Sequence, residues 1–310
     1  MKKIAEKYTF IWPLLGSAIL WALIGAVSGK FNLNQLFSCS KLATFALLLA
    51  LAQMVVVTSG EGAIDLSQTY ILTLCAYVSC SLMNVNLFVG FIAAVLVGAV
   101  CGLVNGCINI YLKVPAMITT LATGYIIFTV ILISAPHMKT LPNAQLVKLI
   151  NMNLGGFSML TLICIIVAVL LAVLLYRTKY GKNLHAVGQK RLAAGYSGIA
   201  VGPVVIAAFT LGGALCGLAG VLCGAFIGGA FQDMGTTYFL PSIAAAFVGG
   251  TAASGGRSNV LGVCLGALMM SFMTTFLNAA SLSPGMQKLI QGAFLVLILV
   301  ASVSNAVKKK

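Results

Sequence analysis

Acidic residues are nearly missing from this chain. Glu6, Glu61, Asp65 and Asp233 are the four carboxylates among 310 residues, against 18 Lys and Arg, and the formal net charge is +14. Charge of either sign is scarce, at 7% of the chain, while 61% is hydrophobic and the mean hydropathy is +1.09. A soluble domain carries roughly 25% charged residues. A soluble fold is therefore excluded, and the composition is that of an all-α polytopic membrane protein.

Each further absence removes a class of chemistry. The apolar runs hold no acid well inside their ends, whereas carriers driven by protons or sodium use buried carboxylates near the midplane. His137 and His185 both fall in loops, so no proton relay is visible. There is no GxxxxGK[ST] phosphate loop, so energy for uphill movement would have to come from another chain. The nine cysteines lie almost entirely within apolar runs, where thiols act as small hydrophobes, and no CxxC or Cys/His spacing suggests a metal or a disulfide. "GYSGIA" approximates a nucleophile motif but lacks a Gly two places before Ser197 and follows a basic loop rather than a strand. An enzyme is disfavoured.

What the chain does have is apolar length. Windows near 10–29, 40–59, 67–83, 86–111, 116–134, 158–176, 201–221, 237–253, 259–279 and 287–305 predict about ten transmembrane helices of about 20 residues each. The first is too long for a secretory signal and reads as an uncleaved span. With the N-terminus inside, the inner segments carry Lys2, Lys3, Lys7, Lys113, Arg177, Lys179, Lys182, Lys190, Arg191, Arg257 and Lys308 to Lys310. The outer ones carry Lys30, Lys41, Lys139, Lys148 and Lys288. Thirteen against five satisfies the positive-inside rule and predicts both termini in the cytoplasm. The basic excess is thus a topology signal with no stripe for nucleic acid, and the lysine tail is an anchor near anionic lipid. The segment 135–157 becomes the longest outer loop, with one short surface helix.

Glycines number 33, many at spacings of three or four that let membrane helices approach closely. "GAVCGLVNG" at 98–106 echoes "GALCGLAGV" at 213–221, and "VPAMITTLAT" at 114 faintly matches "LPSIAAAFVG" at 240. In the ten-span reading the members of each pair run in opposite directions, as an inverted-topology repeat requires. Chance similarity between Gly/Ala-rich helices accounts for the echo equally well.

Two polar segments stand out. "TSGEGAIDLSQTY", 58–70, reads either as a turn capped by Asp65 or Ser67, or as a broken helix whose polar groups line a solute path. An Asp at mid-membrane costs about 2.5–3.5 kcal/mol, which places Asp65 near an interface or against a wet cavity. Asp65, Ser67, Asn105 and Asn109 are the pathway candidates. "YGKNLHAVGQKRLAAGYSGIAV", 180–201, is basic yet punctuated by Ala and Gly. A helical reading from Asn183 to Tyr196 gathers Leu184, Val187, Arg191 and Ala194 on one face, suited to a groove of a soluble partner.

This second segment resembles the cytoplasmic loop of permease subunits of ribose-type ABC sugar importers, within the branched-chain amino acid/ribose permease superfamily. Tyr180, Gly181, Ala186, Gly188, Ala193, Ala194, Ser197, Gly198 and Ile199 match that loop. "GAIDLS" at 62–67 is similar to the family's G-G-I-D-L-S, and the segment from Leu240 to Met270 to its A-A-V-x-G-G-T region. The resemblance implies a single permease domain over 1–310 in the bacterial plasma (inner) membrane. It also implies a second permease subunit, identical or different, two cytoplasmic ATPase subunits engaging the 177–201 loop, and an extracytoplasmic solute-binding protein. ATP and Mg would belong to the ATPase, with no cofactor, metal or catalytic residue in this chain. The solute would be a sugar or sugar-like molecule; related permeases for nucleosides, autoinducer-like furanoses or branched-chain amino acids, and an ATP-independent facilitator, are the alternatives. Two departures are visible: Lys190, Arg191 and Leu192 stand where relatives carry an acid, and Glu61 is an extra acid before the Asp65 motif.

Overall fold

The computed structural model describes residues 10–28 and 33–307. Lys2, Lys3, Glu6, Lys7, Lys30 and Lys308 to Lys310, on which part of the charge-sidedness argument rests, lie outside the described residues. The helices are α1 (Ile11–Ser28), α2 (Leu33–Thr58), α3 (Gln68–Met83), α4 (Leu87–Tyr111), α5 (Ala116–Ser134), α6 (Ala144–Asn151) and α7 (Met159–Arg177). They continue with α8 (Lys179–Gln189), α9 (Arg191–Tyr196), α10 (Val201–Ile227), α11 (Phe239–Val248), α12 (Val260–Ala279) and α13 (Pro284–Val307). A two-residue antiparallel ladder, β1 (Asn153–Leu154) with β2 (Phe157–Ser158), closes the loop after α6. The protein is a multi-pass, all-helical membrane protein.

Each of the ten apolar windows falls on a helix. Six helices are long and apolar enough to cross a bilayer: Leu36–Thr58, Leu87–Tyr111, Ala116–His137, Met159–Arg177, Val201–Ile227 and Val260–Ala279. The other four, Ile11–Val27, Gln68–Met83, Thr236–Val248 and Pro284–Val300, are apolar but shorter. The predicted span 237–253 is interrupted: α11 stops at Val248, and Gly250, Gly255 and Gly256 take positive φ in the turn that follows.

Helices α2, α3 and α10 form the interior, and α4 packs along α10. That pairing is antiparallel and made of backbone. A Cβ on Gly98 would strike the Gly213 carbonyl, one on Gly102 the Phe209 carbonyl, and one on Gly217 the Ala94 carbonyl at 2.8 Å. At these glycines the backbones meet directly, in van der Waals contact that supplies association where lipid offers no hydrophobic drive. The pairings also map onto one another through the sequence echo. The echo aligns Gly98 with Gly213, Gly102 with Gly217, and Ala94 with Phe209. Gly98 meets its own counterpart, and the Gly102–Phe209 contact is the counterpart of Gly217–Ala94. The crossing therefore has local two-fold symmetry.

The predicted surface helix of the 135–157 loop is α6. Asn143 caps it by accepting from the Gln145 N–H at 2.9 Å, and Leu146 and Ile150 bury its apolar face. At the opposite end of the bundle lie α8 and α9. The single helix expected from 183 to 196 is two helices, because Lys190 adopts extended backbone (φ −162°, ψ 102°) between them. Gly198, at φ +81°, ends α9 while the Ile199 N–H returns to the Ala194 carbonyl.

Candidate functional site

The 58–70 segment combines a turn with a break in a span. α2 ends at Thr58; Gly60, Glu61 and Gly62 follow with φ of 90°, 56° and 64° and reverse the chain. Residues 63–67 then rise without helical structure beside α2, and α3 begins at Gln68. Asp65 lies level with Gln53, five residues before the end of α2, or roughly 7 Å into the bundle at the helical rise. An extended segment at this depth has peptide groups that water cannot reach, so side chains must satisfy them. Gln53, fully buried in mid-α2, accepts from the Asp65 N–H and donates to the Asp65 carbonyl, both at 3.2 Å. Its amide also donates to the Gln68 side chain at 2.9 Å, while Gln68 donates to the Leu49 carbonyl at 3.2 Å. This network sets both amide orientations. From α5, Thr120 accepts from the Leu66 N–H at 3.0 Å.

Three of the four pathway candidates are joined here. The Asp65 carboxylate accepts from the Ser67 N–H at 2.8 Å and the Ser67 hydroxyl at 2.6 Å, and so caps the approach to α3; Ser67 makes no side-chain cap bond itself. Asn105 of α4 donates to the Ser67 hydroxyl at 2.9 Å and accepts from Thr123 of α5 at 2.6 Å. Asn109 stands apart and closes the α4–α5 turn by donating to the Val114 carbonyl at 2.8 Å. Asp65, expected near an interface or a wet cavity, lies roughly 7 Å from the end of α2 and does not line the cavity; it is 1% exposed, with one carboxylate oxygen buried and unpartnered among the described residues.

In front of this polar lattice lies a cavity of about 650 Å³. None of Asp65, Ser67, Asn105 or Asn109 lines it. Leu66, Thr69 and Tyr70 of the broken span form one wall, facing Tyr125 of α5, Thr236 and Thr237 before α11, and Asn278, Gln287 and Gln291 of α12 and α13. Among the described residues, Lys288 is the one charged residue in the lining and no acid is found there. The cavity reaches the α6 end of the bundle, since α12 ends and α13 begins beside it. Much of the lining is apolar, with Leu42, Leu121, Leu240 and Met270 among it, and a few hydroxyls, amides and aromatic rings are set between these residues. The polar lattice holds the wall from behind.

The 180–201 segment closes the other end. Leu184 and Val187 are fully buried and Ala194 nearly so, which turns the face proposed for a partner inward against the bundle. The reason is close backbone packing. A Cβ on Gly188 would hit the Thr58 carbonyl and, at 2.5 Å, the Gly256 nitrogen; one on Gly60 would lie 2.7 Å from the Gly188 carbonyl. A Cβ on Gly181 would collide with Leu175. Thus Gly181 and Gly188 are packing positions. Tyr180 is half-buried with its hydroxyl unpartnered, and burial pushes the phenol pKa up. Ala186 is half-buried, and Ala193, Ser197 and Gly198 are exposed. His185 bonds the Gly181 carbonyl at 2.7 Å and the Ser258 hydroxyl at 3.0 Å, tying α8 to the turn before α12. The outward face is carried by Leu192, 71% exposed, and Tyr196, 91% exposed, around a shallow apolar groove shared with Gly195 and Val201.

Sequence reasoning missed Gln53, Gln68, Thr120 and Thr123. Gln53 had a signal, as an amide in the centre of the apolar run "LLLALAQMVVV". It also missed the ion pair between Arg191 and Glu61, 2.6 Å, which joins the two departures noted above.

Residues 35–299 match the family described as branched-chain amino acid transport system / permease component. Among individual proteins, the chain is 30% identical to the ribose import permease protein RbsC of Escherichia coli over 302 residues, covering 94% of this chain and 92% of that one. It is 28% identical to the autoinducer 2 import system permease protein LsrD of Salmonella paratyphi B over 275 residues, covering 86% and 82%. No solved structure matches it. With the family match running from α2 into α13, the chain belongs to the branched-chain amino acid transport system permease family, alongside the ribose-type ABC permeases that its motifs resemble.

Proposed function

We propose that this chain is the single-domain transmembrane subunit of an ATP-driven ABC importer in a bacterial plasma membrane, passing a sugar or sugar-like solute. The observation that carries this reading is the pairing of two features at opposite ends of one bundle. A cavity lined by hydroxyls, amides and tyrosines reaches the α6 end, and a cationic segment with an apolar tip closes the other. The first receives the solute outside, from a solute-binding protein; the second lies inside. The two related permeases named above handle ribose and autoinducer 2, and a furanose-sized solute fits the cavity. The ten apolar helices are ten spans with both termini cytoplasmic, and the symmetric α4–α10 crossing is the centre of an inverted repeat. A second permease subunit completes the pathway.

The partner of the inner end is a cytoplasmic ATPase, which holds ATP and Mg. Its docking surface is the exposed tip Leu192–Tyr196 rather than the buried Gly188 face. Apolar anchors on a segment that also carries Lys179, Lys182, Lys190 and Arg191 suit a groove that is apolar at its floor and acidic at its rim. Tyr196→Asp leaves the bundle unchanged, because the side chain touches little of it. Copurification with the ATPase and ATP-dependent uptake of labelled D-ribose by membrane vesicles should both fall at least about tenfold, as expected for a buried aromatic anchor. Full retention of the bound ATPase in this variant would remove the docking assignment, and uptake by the wild type without ATP would favour a facilitator.

A further inference from the structure

Glu61 is an acid in an unfavourable place. It takes φ 56° between Gly60 at 90° and Gly62 at 64°, so three successive residues are left-handed where only the glycines do so at no steric cost. A glycine at 61 would relieve the backbone. Instead the position carries a carboxylate, 62% exposed, whose Oε2 lies 2.6 Å from Nη1 of Arg191. Retention of backbone strain at a turn points to a role for the side chain that holds it.

Arg191 gives the pair its direction. Its side chain is 16% exposed, Nε and Nη2 are buried with no partner among the described residues, and Glu61 is the counter-charge that meets this guanidinium. Burial lowers the guanidinium pKa and Glu61 opposes the shift. Arg191 is also the first residue of α9, directly after the extended Lys190 that separates α9 from α8. Gly188 also packs its backbone against Thr58 and Gly60, a contact that can slide without a specific bond being broken. The ion pair cannot.

On the other side of the pair, the connection is short. Five residues lead from Glu61 to Leu66 in the cavity wall, and the last of them are fixed by Gln53, Thr120 and the Asp65–Ser67 bonds. Freedom between the pair and the wall is confined to residues 62–64, so a displacement at Glu61 has a short path to Leu66.

We infer that the Glu61–Arg191 pair is the tie through which movement of α9 repositions the cavity wall, making both positioning residues of the transport cycle. This rests on the reading of α9 as the ATPase contact. It also explains why the chain carries two departures from the related loops at once: the cation and the acid are each other's partner.

The test uses the permease–ATPase complex in membranes, with Leu66→Cys as the reporter and Tyr70→Cys as a second. The probe is a membrane-impermeant methanethiosulfonate, compared with the parent lacking the added thiol. In the reporter background, ATP with vanadate should change the labelling rate by about fivefold or more, the range of a modest coupling free energy. E61Q should reduce that change to less than about twofold, with ATPase copurification and the nucleotide-free labelling rate unchanged, and R191Q should reduce it likewise. The charge-swapped double variant, E61R with R191E, should restore it, which a merely stabilising contact would not require. A full nucleotide-dependent change in E61Q overturns the tie while leaving the importer reading intact. A reporter chain that binds no ATPase, or whose labelling ignores nucleotide, overturns both.

Discussion

Replacing Gln53 by Leu tests how the broken span is held. The two side chains are close in volume, so the substitution removes hydrogen bonds with little change in packing. Two buried groups lose their side-chain partner, the Asp65 N–H and the Asp65 carbonyl, while the Gln68 amide oxygen loses one of two and keeps the backbone N–H of residue 53. An unmade bond at a buried group costs about 1–3 kcal/mol. Relaxation of the Gln68 side chain and the gain from burying a leucine offset part of this, leaving a net loss of about 2–4 kcal/mol. The assay is built into the protein, because Cys75, Cys164, Cys216 and Cys223 are buried and become reactive on unfolding. A thiol-reactive fluorogenic maleimide in detergent should report a midpoint lower by about 4–8 °C. If Q53L melts within about 2 °C of the parent, the segment is held by something other than this amide and the reasoning fails.

Two further outcomes follow from the same geometry. Gly102→Ala forces a methyl into the Phe209 carbonyl and should cost at least about 2 kcal/mol, whereas Gly292→Ala, with nothing within 4 Å, should be neutral or stabilise by up to about 1 kcal/mol. Equal melting midpoints for the two would refute close backbone contact as the basis of the α4–α10 pairing. Cysteines placed at Lys190 and Gln145, both exposed, should react with impermeant maleimide only from the inner and only from the outer side respectively. Labelling of both from one side breaks the topology.

Much of the helical layout was legible because apolar length and Gly/Pro punctuation are local signals. The window 116–134 coincides with α5, and most others shift by a residue or a few. The motifs around Asp65 and Gly188 were legible as places of interest, but their roles were not. An Asp in an apolar setting reads as costly, and nothing in the order of residues shows that the Ser67 N–H and hydroxyl bind one of its two oxygens. The face of 183–196 was assigned inversely for a related reason. Helical periodicity finds the apolar side of a segment, yet cannot say whether the protein's own loops or another molecule covers it. Here glycines remote in sequence, at 60 and 255–256, come close enough to cover it. The Glu61–Arg191 pair was likewise visible as two oddities, and only the fold brings them within 2.6 Å.

The α4–α10 crossing has a mechanical corollary. Interlocked side chains fix both the separation of two helices and their angle, because rotation drives knobs against the walls of their holes. Where Gly98 lies on Gly213 there is nothing to interlock. The separation is set firmly by carbonyls and α-carbons, while the angle is left soft. Such a joint behaves as the rivet of a pair of shears, at which a small swing of the handles at one membrane face becomes an opposite swing of the blades at the other.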